Sequence, residues 1–535
     1  MKKFLFFLTI VFVFVQNNSL LAQQPDAPVF GTDIVVKNLP EQNQQNLVVC
    51  SAFNGWWYAA YSYDTQGQGS KSVLKSEDKG ATWTVLFEGP CGIDHSSYTK
   101  LDILVCGTSL SDLTLFLACC RYDSVSGRRL AWITTYNGVT GEPIDEIFQD
   151  PSYKTKDLAI ASDYLYPAAN SNPYSIVAVY SKGFFTNPDS IYFCSFSNGG
   201  VTFYLSNKKR IASSPNYFHK VALSYGRSPS YPEGRYFATW EEQTAEGAEY
   251  GHIYTAHTET DINSSFTEPV MLDSLDPSLY NKVRNPSIAC QSNDVDNSHQ
   301  NITEIVLFEK NEGVANQNKV VGFYNTEAAS ADNFHKVNID TMPGNKLQPD
   351  ICFNPYDTGF MVTYYDSTAN KLPFITNNFN LTEPDSWNII SAGYNDTPDL
   401  SHPQPGIALD LMKQSGMTSW IAERPGGNGE AFMDAPFIYY AGVQDEQTST
   451  SPGCRAFPNP ASTEITFEFE LPAPGTITLS IHSTLGQPAG ASVHKGCSAG
   501  KQQLRYDVSQ LPAGLYFYTL RTNTGVTSGK VVVSR

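Results

Sequence analysis

Seven short apolar runs recur along residues 23–443, at 57–61, 115–119, 176–180, 236–240, 305–309, 361–365 and 418–422. Ile176-Val177-Ala178-Val179-Tyr180 and Met361-Val362-Thr363-Tyr364-Tyr365 are typical of them. Each is five residues long and rich in β-branched and aromatic side chains, the composition of a strand buried on both faces. Their starts lie 58, 61, 60, 69, 56 and 57 residues apart. Several are preceded by a second strand with a shared opening: Asn285-Pro286-Ser287-Ile288-Ala289, Gln348-Pro349-Asp350-Ile351-Cys352 and Gln404-Pro405-Gly406-Ile407-Ala408. Polar turns and two further short strands follow, as in 371–375 and then 387–390.

A unit of about four strands repeated at this period predicts an all-β fold, a β-propeller, because one blade cannot bury both faces and stacking around an axis lets its neighbours do so. Seven units fit the count, with six as the alternative. The last unit, from about Gln404 to Val443, is one strand short, and the early strand Asp33-Ile34-Val35-Val36-Lys37 has no unit of its own. The N-terminal strand is therefore expected to complete the seventh blade, which ties down the end and removes an open sheet edge. Residues 444–453 are polar and without periodicity, a linker.

Both ends of the chain read as export signals. Lys2 and Lys3 precede an apolar run over 4–15, and Leu20-Leu21-Ala22 before Gln23 offers a small-residue cleavage site, so 1–22 is expected to be a signal peptide leading to the periplasm. That run is too short to cross a bilayer, and no later stretch approaches the ~20 apolar residues a membrane helix needs. At the other end, 454–535 holds Phe457-Pro458-Asn459-Pro460, then Leu511-Pro512-Ala513-Gly514-Leu515-Tyr516, then Lys530-Val531-Val532-Val533. With Pro458, Asn459, Pro460, Gly514, Tyr516 and Lys530 in that order, this segment resembles the C-terminal sorting domain of type IX secretion. The resemblance implies a small β-sandwich, the type IX machinery as partner, and a destination at the outer-membrane surface or outside the cell.

Charge separates cargo from tag. Residues 23–450 carry 26 Lys+Arg against 49 Asp+Glu, net −23, whereas 451–535 carry 7 against 4, net +3. An acidic cargo argues against nucleic acid, whose phosphates demand a basic face, and fits neutral or cationic ligands, metal ions or proteins. The ten cysteines include no Cys-x-x-Cys pair and no Cys/His cluster, so a zinc site is not expected. Cys454 and Cys497 are within reach of pairing by sequence, and Cys194, Cys290 and Cys352 read equally as buried strand residues. No cofactor is expected. The one calcium candidate, Asp294-Val295-Asp296-Asn297, lacks the Gly and closing Glu of an EF-hand loop.

Ser76-Glu77-Asp78-Lys79-Gly80-Ala81-Thr82-Trp83 resembles the Asp-box, or BNR repeat, of sialidase-like propellers at every fixed position, and 196–203 is a degraded copy. Ser76, Asp78, Gly80, Thr82 and Trp83 then have a structural role: the carboxylate caps backbone N–H groups, Gly supplies positive φ and the aromatic packs into the blade.

Chemistry belongs at the other end of the blades, where the start of each first strand meets the end of each second. Glu241, Glu242, Glu309, Asp366 and Glu423 are the catalytic candidates there, and Arg284 and Arg424 the ligand-binding ones. Paired carboxylates are what glycoside cleavage needs, one protonated and one ionised at a set separation. True sialidases carry an Arg-Ile-Pro motif, an arginine triad, a Tyr/Glu nucleophile pair and an acid Asp. No Arg-Ile-Pro occurs here, and the cargo holds only eight arginines. The sequence thus favours a secreted propeller that binds a glycan or protein ligand on its channel face. An exo-acting, sialidase-like glycosidase is the alternative, and a structural surface component without a small ligand is the third reading.

Overall fold

The computed structural model describes residues 29–437 and 454–534 apart from short loops; the expected signal peptide, the linker, Arg424 and the calcium candidate at 294–297 lie outside the described residues. The chain divides into two compact units, 1–439 and 440–535.

In the first unit the described residues form seven four-stranded antiparallel sheets. Six are built from consecutive strands, for example Asn43–Ser51, Trp57–Thr65, Gln68–Ser76 and Thr84–Pro90 in the first, and Val283–Cys290, Glu304–Asn311, Asn318–Asn325 and His335–Asn338 in the fifth. The seventh combines Gly406–Asp410, Ser415–Glu423 and Gly429–Asp434 with the N-terminal strand Ile34–Val35, which pairs with Phe432 and Met433. The strand expected at 33–37 thus fills the position the last unit lacks. This is a β-propeller type of arrangement.

Each apolar run is the second strand of its sheet and is buried almost completely, because neighbouring sheets cover both of its faces. Trp57, Trp240 and Trp420 are all buried, and alternate residues feed two different cores. In the fifth sheet Val306 and Phe308 pack towards the fourth, while Ile305 and Leu307 pack towards the sixth. Of the Trp56-Trp57 pair, Trp57 is in the core and Trp56 lies under the Lys75 ammonium, 4.4 Å from its ring centroid.

The first strands of successive sheets run side by side, and that of the seventh lies against that of the first. One apolar core, containing Leu47, Trp57, Leu74, Met417, Ile421 and Met433, is shared by the first and seventh sheets. Three hydrogen bonds cross the same junction: Ser51 Oγ to Leu409 O at 2.7 Å, Gly429 N to Asn43 Oδ1 at 2.8 Å and Ala431 N to Gln44 Oε1 at 2.8 Å.

Between the third and fourth strands of the first sheet, the turn at 76–83 is held by its own side chains. Asp78 Oδ1 accepts from Ser76 Oγ and Thr82 N, both at 2.8 Å, and Oδ2 accepts from Thr82 Oγ1 at 2.5 Å. Gly80 has φ +89°, its N–H donates to Ser76 Oγ, and its carbonyl accepts from Trp83 Nε1 at 3.0 Å. The Thr82 hydroxyl, with the turn's N–H groups, holds the Asp78 carboxyl below its usual range.

The second unit packs a three-stranded sheet, Arg455–Phe457, Glu464–Leu471 and Gly500–Asp507, with a four-stranded one containing Gly475–Ser483, Gly514–Thr522 and Gly525–Val533, around one apolar core. Asn459 donates from Nδ2 to Lys530 O and accepts from Val532 N, both at 2.8 Å, so the Pro-Asn-Pro opener is pinned to the last strand. Tyr516 Oη donates to Pro512 O at 2.8 Å. Cys454 and Cys497 carry free thiols.

Candidate functional site

The ends of the sheets opposite the 76–83 turn are shaped by one recurring device. Asn46, Lys220, Asn285, Gln348 and Gln404 all have φ between +45° and +53°, and the first four sit at a shift in register between first and second strands. These four are β-bulges in which one residue takes the left-handed conformation, and Gln404 takes it two residues before its strand begins. The Asn285-Pro286 and Gln348-Pro349 openings are therefore bulges rather than plain strand starts. Asn accepts this conformation readily; Lys and Gln do so at some strain.

The bulges aim backbone donors across sheet boundaries, and the expected catalytic acids receive them. Arg284 lies beside Glu309, Lys346 beside Asp366 and His219 beside Glu241, so the pairing of first-strand start with second-strand end holds. Glu309 is fully buried and accepts from Arg284 Nε at 2.7 Å, Asn285 Nδ2 at 2.6 Å and Gln348 N at 2.7 Å. Glu241, 2% exposed, accepts from Asn285 N at 2.9 Å and Gln243 Nε2 at 2.6 Å. Burial pushes its carboxyl up, and the hydrogen bonds oppose this. Glu242 accepts from Ser214 Oγ and Asn216 Nδ2, both at 2.6 Å. Asp366 caps a turn through the N–H groups of Thr368 and Ala369.

Arg284 is engaged by Glu309 and stacks 4.9 Å from the Tyr250 ring centroid. Burial works against its charge, and Glu309 outweighs burial, so the guanidinium sits above its usual range. Glu423, at the end of its strand opposite Gly429, is partly exposed. Three of the five acids are thus committed to joining sheets and loops, whereas Asp366 and Glu423 are partly exposed.

Deeper along the first strands lies a charged group that sequence reasoning did not single out. Asp102 accepts from Ile160 N and Ile103 N, both at 2.9 Å, linking the second sheet to the third. Asp350 accepts from Ser287 Oγ at 2.8 Å and Ile407 N at 2.9 Å, linking the fifth, sixth and seventh. Burial lifts Asp102 to about 6 and raises Asp350. The charge of Asp157 holds the Lys100 ammonium above its usual range against burial, with Asp102 and Asp350 adding to it. The alternation Lys100-Leu101-Asp102 was the available signal: two ionisable residues on one face of an otherwise apolar strand. No group of three or more metal-ligating side chains converges among the described residues.

Residues 455–534 match the secretion system C-terminal sorting domain. The protein is thus a cargo carrying a type IX sorting domain, a signal for delivery to the cell surface or beyond. No helix among the described residues is long and apolar enough to cross a membrane. No curated protein is similar to the chain in sequence. Among solved structures, the α-L-arabinofuranosidase Arb93A of Fusarium graminearum is 10% identical, with a TM-score of 0.40, over 76% of this chain and 97% of that one. The α-L-arabinanase of Penicillium chrysogenum, solved with arabinobiose, is 10% identical, with a TM-score of 0.42, over 76% and 98%. A protein of unknown function from Dyadobacter fermentans is 11% identical, with a TM-score of 0.40, over 76% and 98%. At these values none of them bears on activity.

Proposed function

We propose that the first unit is a closed seven-bladed β-propeller with an Asp-box turn, led to the periplasm by residues 1–22, exported by the type IX machinery and bound outside the cell to a glycan or protein ligand across its channel face. Closure is supported by the junction between the first and seventh sheets, where a core and three hydrogen bonds replace an open edge. The Asp-box reading rests on the hydrogen bonds of Asp78.

Binding is favoured over catalysis by one observation: Glu241, Glu242 and Glu309 are buried and already occupied as acceptors. A general acid or nucleophile needs an oxygen that substrate can reach. The glycosidase alternative accordingly narrows to Asp366 and Glu423. A glycan array read for both binding and sugar release, on the mature chain and its Glu423→Gln variant, tests this. Binding without release by both proteins is expected. Release that the variant abolishes would make the protein a glycosidase, and silence of both would leave a protein ligand or a structural role.

A further inference from the structure

Seven non-glycine residues among the described ones have positive φ. Four are Asn, which tolerates this conformation well; the other three, Lys220, Gln348 and Gln404, all stand in or just before a first strand. A glycine at 348 or 404 would adopt the same backbone without strain, and the N–H that Gln348 sends to Glu309 would remain. Strain kept where glycine would remove it is typical of sites where the side chain is needed.

Asn285, Gln348 and Gln404 are neighbours in space. Asn285 Nδ2 and Gln348 N donate to the same atom, Glu309 Oε1, at 2.6 and 2.7 Å. Gln404 N donates in turn to Gln348 Oε1 at 3.1 Å. The fifth, sixth and seventh sheets thus place three carboxamides in a row, anchored on one buried acid. Among the described residues their remaining hydrogen-bonding capacity is mixed: Asn285 keeps Oδ1 as an acceptor and Gln348 keeps Nε2 as a donor. Gln404 is exposed, and its carboxamide makes no hydrogen bond within the described residues.

The charges beside the row answer one another, because Arg284 lies 2.7 Å from Glu309 and 3.6 Å from Glu249. An apolar centre is missing too: Pro286, Pro349 and Pro405, which follow the three amides, are all buried. A charged ligand would give up hydration for uncharged partners, and a protein partner would find no apolar anchor. A sugar hydroxyl both donates and accepts, which is what neighbouring carboxamide N–H and C=O groups match.

We propose that Asn285, Gln348 and Gln404 form a subsite for adjacent hydroxyl groups of an uncharged saccharide, with the Gln404 side chain kept for the ligand alone. This rests on the reading of that face as a ligand-binding one.

The test places the full mature chain on an array of gluco-, xylo-, manno- and galacto-oligosaccharides, with oligogalacturonate and carrageenan oligosaccharides as acidic counterparts, and follows each binder by calorimetric titration. Gln404→Gly and Gln348→Gly suit the left-handed backbone, and Lys319→Gln, a half-exposed cation of the fifth sheet, is the control. Uncharged oligosaccharides are expected to bind, with affinity about tenfold or more lower in each glycine variant and unchanged in the control. Gln404→Gly is expected to melt no lower than the native chain, a result that a merely structural side chain would not give. Neutral binding that survives either glycine substitution or falls equally in the control overturns the subsite, as does a Gln404→Gly variant that loses binding and melting temperature together. Binding of acidic oligosaccharides alone overturns it while leaving the face a glycan-binding one. Binding of no oligosaccharide overturns it as well, and leaves the face to a protein ligand or to none.

Discussion

The backbone N–H of Asn285 points at Glu241 Oε2, 2.9 Å away across the boundary between the fourth and fifth sheets. Gln348 N does the same for Glu309 Oε1, one sheet further on, at 2.7 Å. In both places a left-handed residue turns its N–H out of its own ladder and into the preceding sheet. A carboxylate placed at the end of a second strand thereby becomes a fastener between sheets.

Removing Glu309 leaves donors of the half-buried Arg284, Asn285 and Gln348 without the fully buried acceptor they share. Glu309→Ala is expected to lose about 3–5 kcal/mol of unfolding free energy, and Glu309→Gln less, because its carbonyl still accepts. Denaturant titration reads both. A loss under about 1 kcal/mol for the alanine variant would mean the acid is not a fastener and is available for chemistry.

Glu304 makes stability depend on pH in the opposite direction from a paired acid. It is 1% exposed, Oε1 has no hydrogen-bond partner among the described residues, and burial lifts its carboxyl to about 8 from the ordinary 4.5. The unfolded chain releases this proton as pH rises past 4.5, while the folded chain holds it until about 8. Stability therefore falls across that window and levels off above it. Glu304→Gln is expected to gain up to a few kcal/mol over the native chain at pH 8 relative to pH 5. An equal difference at both pH values would refute a raised carboxyl.

Asp150 has the reverse sign. Burial would raise it, but Tyr180 Oη at 2.5 Å, Lys208 Nζ at 2.9 Å and Lys182 Nζ at 3.0 Å hold it at about 2. Its contribution is full above the ordinary carboxylate range and is lost as pH falls through 2. Lys182→Gln is expected to destabilise by about 1–3 kcal/mol at pH 7. Thermal melts should show that deficit shrinking towards pH 2, and a constant deficit would argue against the pair. Asp340, held by Lys346 Nζ at 2.5 Å and by Tyr364, repeats the arrangement at the fifth and sixth sheets.

Gly80→Ala combines a left-handed backbone with a near contact, since its Cβ would lie 3.1 Å from Met417 Cε in the seventh sheet. A loss of about 1–3 kcal/mol is expected from thermal melts. No loss would show that the turn is free to rearrange and is not a fold element.

A chain ending at Gly453 is expected to remain with the cells while the full chain reaches the surface or the medium, as read by immunoblotting of fractions. Asn459→Ala, which cuts both ties from the opener to the last strand, should reduce export in the same assay. Normal export of the truncated chain would remove the sorting role from 455–534.

Much of this architecture was legible in the chain itself. The five-residue apolar runs announced the second strands because a strand covered on both faces must be continuously apolar, whatever its partners. Their spacing announced the repeat, the shortfall after Gln404 announced the borrowed strand at 34–35, and the Asp78 turn was readable because its bonds span at most four residues. The site was not legible in this way. Glu241 and Glu309 were recognisable as acids at the correct end of the sheets, but the backbone donors that reach them from the next sheet lie 44 and 39 residues further along. Alternation and turn chemistry act between near neighbours and so are written in the sequence. Which carboxylate is consumed as a fastener depends on the sign of φ at a bulge and on the sheet that arrives beside it, and only tertiary packing decides those.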